Sequence, residues 1–194
     1  MTFVAFLDAN VLVPARLRDV LLTVAEAGSF SPRWSRAVLE EMKRHLPESM
    51  TGEHVEALVV ALESAFPEAL VLAGEVTLTP PDTINSKDLH VVAAALTCRA
   101  DVLVTQDMQL INEVRTCLPQ AIGVQPPDLF LAYAVDVNPR LVRANLLDMM
   151  QRRWVPEHRP ETELWDRFHH WCEHEGLEAT AHELRRIRHS GERS

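Results

Sequence analysis

Phe3-Val4-Ala5-Phe6-Leu7-Asp8-Ala9-Asn10-Val11 decides the fold. The run from Phe3 to Leu7 is apolar without alternation and too short for a helix. That is the pattern of a strand buried on both faces. Asp8 ends it, so a carboxylate stands at the carboxyl end of a central strand. Working outward, a helix from about Arg16 to Ala27 follows, broken at its start by Pro14 and stopped by Gly28. Phe30 to Trp34 is a short extended piece held by Pro32. Ser35 is a good N-cap for a helix to Leu46, which Pro47 ends. Glu53 to Ala65 repeats apolar residues at helical spacing. Leu70 to Leu78 is strand-like around Gly74, and Pro80-Pro81-Asp82 makes a turn. Lys87 to Arg99 is helical, Val102 to Thr105 a strand, Met108 to Cys117 helical, and Ala121 to Val124 a last short strand. Strands separated by helices of this length need crossover connections, and hence a parallel sheet.

Pro126-Pro127 marks a boundary. The expected division is an α/β domain over residues 1–125 and an all-helical appendage over 126–194, with helices at 128–135, 140–153, 162–175 and 177–188. Trp154, Leu164, Trp165, Phe168 and Trp171 read as core of that appendage. The chain has 194 residues and is 47% hydrophobic, enough for a real core. A net charge of −9 argues against broad coating of nucleic acid and against an anionic membrane surface. Three cysteines, far apart, give neither a disulfide framework nor a C-x-x-C metal motif. With no signal-peptide pattern and no apolar run long enough to span a bilayer, a cytoplasmic location is expected.

Four acids stand out against this frame. Asp8 and Asp107 end strands, Asp88 opens a helix, and Glu41 lines one. In a parallel sheet, sites form at the carboxyl ends of strands near the switch in strand order, so these carboxylates can converge. A cluster of this kind needs cations, and divalent metal among carboxylates points to phosphodiester chemistry. Singly, each acid has a plainer reading. Asp88 belongs to a helix-start cap with Asn85 or Ser86, Asp107 is an N-cap, and Glu41 is a solvated residue beside Glu40. Asn10 and Thr105 are placed to orient the carboxylates or a water. His90, two residues past Asp88, has a polar or packing role. In the appendage, His170 and His174 share a helix face around Cys172, which raises zinc, but no fourth ligand has diagnostic spacing. Arg140, Arg143, Arg152, Arg153, Arg185, Arg186 and Arg188 either rim a nucleic-acid path or pair with nearby acids. A haloacid-dehalogenase-like phosphatase would need an acid where Asn10 stands. No phosphate-binding glycine motif occurs among the six glycines.

Taken in order, Leu7-Asp8-Ala9-Asn10-Val11-Leu12, Ser35-x-x-x-Leu39-x-Glu41-Met42-x-x-x-Leu46, Asp88-x-His90-x-x-Ala93-Ala94-Ala95 and Leu103-Val104-Thr105-x-Asp107 resemble a PIN domain over roughly residues 1–125. The tail makes the chain similar to VapC-like members with a C-terminal helical extension. The resemblance implies a PIN-like parallel sheet flanked by helices and a ribonuclease dependent on Mg²⁺ or Mn²⁺. It implies a catalytic set of Asp8, Glu41, Asp88 and Asp107, with metal held by Asp8, Asp88 and Asp107 and support from Asn10 and Thr105. Glu41 rather than Glu40 fits by its place six residues after Ser35 and before Met42. It further implies an RNA substrate, a homodimer, and a cognate antitoxin whose basic side chain enters the acidic site. Val11, Leu12, Leu17 and Leu21 either line grooves for that partner's apolar anchors or, as most of them read individually, are simply core. The alternative is an inert PIN scaffold used for RNA binding or protein interaction.

Overall fold

The computed structural model describes residues 3–72, 79–81 and 83–190. Most of the strand expected over 70–78 and Asp82 of the expected turn lie outside them, as do the side chains of Arg188 and His189. Two compact units are present. One comprises Met1–Arg18 and Ser31–Pro126, the other Asp19–Phe30 and Pro127–Ser194.

The first unit is an α/β layer structure around a five-stranded sheet in which every pair is parallel. Its strands are β1 (Val4–Leu7), β2 (Ser31–Ser35), β3 (Leu70–Val71), β4 (Val102–Val104) and β5 (Gly123–Gln125), in spatial order β3-β2-β1-β4-β5. β1 lies at the centre. Ala5 is opposite Pro32 on one side and Val102 on the other. This explains the unbroken apolar run: Ala5, Phe6 and Leu7 have neighbours on both edges and both faces, and none is exposed. Gly123 is required by close approach, because a Cβ there would stand 3.0 Å from the Asp101 carbonyl oxygen.

The helices of this unit include α1 (Ala9–Leu12), α3 (Arg36–His45), α4 (Gly52–Ala65), α5 (Leu89–Thr97) and α6 (Met108–Cys117). The single turn α1 is not evident in the sequence. Two partners make up for its shortness. Asp8 caps its start, and the buried Arg18 donates Nη1 to the carbonyls of Leu12 (2.5 Å) and Val13 (3.2 Å) at its end. Ser35 caps α3 as expected, its hydroxyl accepting from the Val38 amide at 3.2 Å. The helix expected from Lys87 starts at Leu89, because a turn over residues 86–88 precedes it, with the Lys87 amide donating to Asn85 Oδ1.

α2 (Ala15–Glu26) crosses from the first unit to the second after Arg18. Gly28 follows its end at φ +77°, a left-handed conformation that glycine adopts without strain. Beyond β5 the described residues are helical: α7 (Pro127–Val137), α8 (Pro139–Arg153), α9 (Glu161–His174) and α10 (Glu178–Ser190). Residues 19–30 belong with them for visible reasons. Asp19 accepts from Arg153 Nη1 at 2.6 Å and from the Trp154 indole at 3.3 Å, and Phe30 meets the edge of Phe130 at 4.8 Å. Trp154 stacks on Phe168 at 5.3 Å, with Trp171 edge-on at 5.1 Å. Asp128 of α7 caps α10 by accepting from the Ala179 and Thr180 amides. No helix among the described residues is long and apolar enough to cross a membrane.

Candidate functional site

The sheet order places a switch point between β1 and β4: the chain leaves β1 for β2 on one side and later returns to β4 on the other. Crevices at the carboxyl ends of such strands are where α/β sheets bind ligands. Asp8 follows β1 directly, and Thr105 and Asp107 follow β4.

Asp8 is buried, with 6% of its surface exposed. Its Oδ1 accepts from the Ala9 amide at 2.7 Å. Its Oδ2 accepts from Asn10 Nδ2 at 2.8 Å and from the Thr105 hydroxyl at 2.7 Å. Asn10 also accepts on Oδ1 from the Gln106 amide at 2.9 Å, so one side chain ties the ends of the two central strands together. Thr105 Oγ1 in turn accepts from the Asp107 amide at 3.1 Å. Asn10 and Thr105 thus hold the Asp8 carboxylate, and Thr105 also binds the Asp107 amide.

Asp107 plays two parts with its two oxygens. Oδ1 caps α6, accepting from the Gln109 and Leu110 amides at 2.8 and 3.1 Å. Oδ2 faces Lys87 Nζ at 3.3 Å. Asp88 stands at the N-cap position of α5 but its side chain caps nothing, which removes the reading of this acid as a helix-start cap. Its Oδ2 is a buried oxygen with no hydrogen-bond partner, and Lys87 Nζ lies 3.8 Å away. Glu41 is held on α3 by His90, Oε2 to Nε2 3.3 Å. This gives His90 its polar role. Glu40 instead pairs with Lys43 at 3.2 Å, so Glu41 is the acid of that pair which joins the group.

The electrostatics show that these acids feel one another. Burial pushes the Asp8 carboxyl above the usual range, and Glu41 adds to the shift, while hydrogen bonds from Thr105 and Ala9 oppose it. Asp88 is pushed up by burial first, then by Asp107, Asp8 and Glu113, with Lys87 opposing. Asp107 moves down, held by the Leu110 amide first and also by Lys87 and the Gln109 amide. Two carboxyls of the group are thus poorly solvated as anions, and one buried oxygen has no donor. Such oxygen donors suit a hard divalent cation. Among the described residues, however, no group of three or more His, Cys, Asp or Glu side chains is placed to hold a metal ion.

Two residues of the group were not picked out in the sequence. Lys87 lies beside Asp88, and that adjacency was the available signal. Glu113 accepts from the Asn85 amide at 2.9 Å and from Gln109 Nε2 at 2.7 Å, which fixes the turn before Asp88 against α6. Nothing in the local sequence sets it apart from a solvated helix residue.

Other expectations are corrected. Val11, Leu12, Leu17 and Leu21 are all buried, so they are core and cannot receive a partner's anchors. Cys172 of α9, which the sequence already set aside as a zinc ligand, is buried in the core, and burial pushes its thiol up to about 12.

Comparison with family models, curated proteins and solved structures finds no match to this chain. A functional reading therefore rests on its own residues.

Proposed function

We propose that the first unit is a PIN-like nuclease: an endoribonuclease dependent on Mg²⁺ or Mn²⁺ that hydrolyses RNA phosphodiesters. What supports this is that Asp8 and Asp107 follow the two strands flanking the switch point, and that Asp88, which feels the charge of both, has a buried oxygen that no donor satisfies. Asp8, Asp88 and Asp107 would hold the metal. When bound, it would supply the Lewis acid that activates water and neutralises charge on the phosphate and leaving oxygens. Asn10 and Thr105 keep Asp8 aimed by bonding its outer oxygen. Glu41, fixed by His90, would orient the attacking water. No imidazole need carry the proton in this scheme.

In this reading the chain acts in the cytoplasm as the toxin of a type II toxin–antitoxin pair, a homodimer restrained by a small co-encoded antitoxin. An arginine of that partner would suit the acidic crevice, since its fork binds carboxylates bidentately. The test is cleavage of an RNA oligonucleotide with Mg²⁺ or Mn²⁺ by the purified chain and by Asp8→Asn. The substitution should abolish cleavage while the far-UV circular dichroism stays unchanged. Full activity of Asp8→Asn removes the assignment. Growth arrest on expression, relieved by the adjacent reading frame, tests the toxin role.

One observation favours a second reading, an inert scaffold that binds RNA or protein. Lys87 already lies between Asp88 and Asp107. A melt with and without Mn²⁺ discriminates, because ligation to the folded state raises Tm. No rise at saturating metal would favour the scaffold.

A further inference from the structure

Asp88 and Asp107 each turn an oxygen toward the same ammonium. Lys87 Nζ is 3.3 Å from Asp107 Oδ2 and 3.8 Å from Asp88 Oδ2. The other Asp107 oxygen is committed to capping α6, so Oδ2 is the one free for a cation. The other acids have different neighbours, His90 for Glu41 and Asn10 with Thr105 for Asp8.

The backbone of Lys87 is held while its side chain is exposed. Its amide donates to Asn85 Oδ1 at 3.2 Å, and the Asn85 amide donates to Glu113 Oε2 at 2.9 Å. The lysine side chain is 58% exposed, so it can swing into solvent without leaving a cavity. A lysine ammonium is a compact point charge on a flexible stem, suited to changing partners. An ammonium and a divalent ion set against the same two carboxylate oxygens repel one another, so each weakens the other's binding.

We propose that Lys87 is a built-in rival of the divalent cation at Asp88 and Asp107, which metal displaces and which then takes an oxygen of the RNA phosphate. The inference rests on the metal-dependent nuclease reading of the site. Once displaced, Lys87 leaves an exposed positive charge beside Asp88 and Asp107, where a polyanion needs one. It is a positioning residue for metal and substrate. Removing it should help the metal and harm the substrate, a combination that a merely structural lysine would not produce.

The test uses the full chain freed of metal by chelation, as wild type, Lys87→Met and Lys87→Arg. Mn²⁺ affinity is measured by calorimetry, and KM and kcat on a fluorescent RNA oligonucleotide. Lys87→Met should bind Mn²⁺ about fivefold tighter or more, the lower end of coupling between sites that exclude each other. Its KM should rise about tenfold, the loss of one charge-assisted hydrogen bond to phosphate, with a smaller change in kcat. Lys87→Arg should bring both values back toward wild type. Unchanged or weaker Mn²⁺ binding by Lys87→Met overturns the exchange, and so does an unchanged KM. A wild type that neither binds Mn²⁺ nor cleaves RNA overturns both the exchange and the nuclease reading. Normal wild-type binding with an indifferent Lys87→Met overturns the exchange alone.

Discussion

Asp8 carries a charge where water cannot reach it well. Three donors converge on its carboxylate, yet burial outweighs them and its pKa stays above the ordinary 3.8. That has a stability consequence with a definite sign. A raised folded-state value means that the folded protein holds the proton more tightly than the unfolded chain does. Metal-free stability must then fall as pH rises from about the unfolded value through the folded one, and the cost is complete above it. Asp88 contributes in the same direction. Asp107 is lowered, so its stabilising contribution is fully present above 3.8 and is lost as pH falls from there through its folded value. Urea melts in chelator from about pH 4 to about pH 7, across the usual span of carboxyl titration, should show a smaller fall for Asp8→Asn than for wild type. Taking the difference between the two proteins cancels carboxylates elsewhere. Parallel curves would show that Asp8 is not strained by its burial.

At the scale of elements, the site depends on how helices begin. Asp8 starts α1, Asp107 starts α6, and Ser35 starts the helix that carries Glu41. Ser35→Ala removes the acceptor for the Val38 amide and should cost about 1 kcal/mol, the usual value of an N-cap. For a chain of this size that lowers Tm by about 2–4 °C. Because Glu41 lies on the second turn of α3, the same variant should lose some activity without changing Mn²⁺ affinity, as thermal scans and RNA cleavage would record. An unaltered Tm would mean that the cap contributes nothing. The capping residues were also the legible part of the chain. Ser35 and Asp107 follow rules of residue type and position, and the strands follow from apolar runs between helices. What escaped was set by distant partners. α1 exists because Arg18, six residues past Leu12, holds its last carbonyls. α5 starts late because the turn before it is fixed by Glu113, 28 residues on. The surroundings of Asp88 could not be read for the same reason: only the fold shows that this acid caps nothing and feels the charges of Asp107 and Asp8.

At the scale of the whole molecule, the proposed nuclease role raises the question of how a chain of net charge −9 would meet a polyanion. The arginines of the second unit are a poor answer. Arg143 pairs with Glu161, Arg152 with Asp148, Arg153 with Asp19, Arg185 with Glu173, and Arg186 with Asp136 and Glu183. Such exposed pairs add little stability, but they leave each guanidinium already matched to a carboxylate. Binding to RNA gains affinity when unmatched protein cations displace the counterions held on its phosphates, and paired arginines supply few such cations. Recognition should then depend on the metal that turns the acidic crevice into an attractive one. Fluorescence anisotropy of a labelled RNA oligonucleotide should show binding with Ca²⁺, another hard oxygen-seeking cation. In chelator the affinity should be weaker by about tenfold or more, the effect of losing one or more charge-assisted contacts to phosphate. Equal binding in chelator would place the RNA contact on a surface independent of Asp8, Asp88 and Asp107, and would turn the argument toward the scaffold reading.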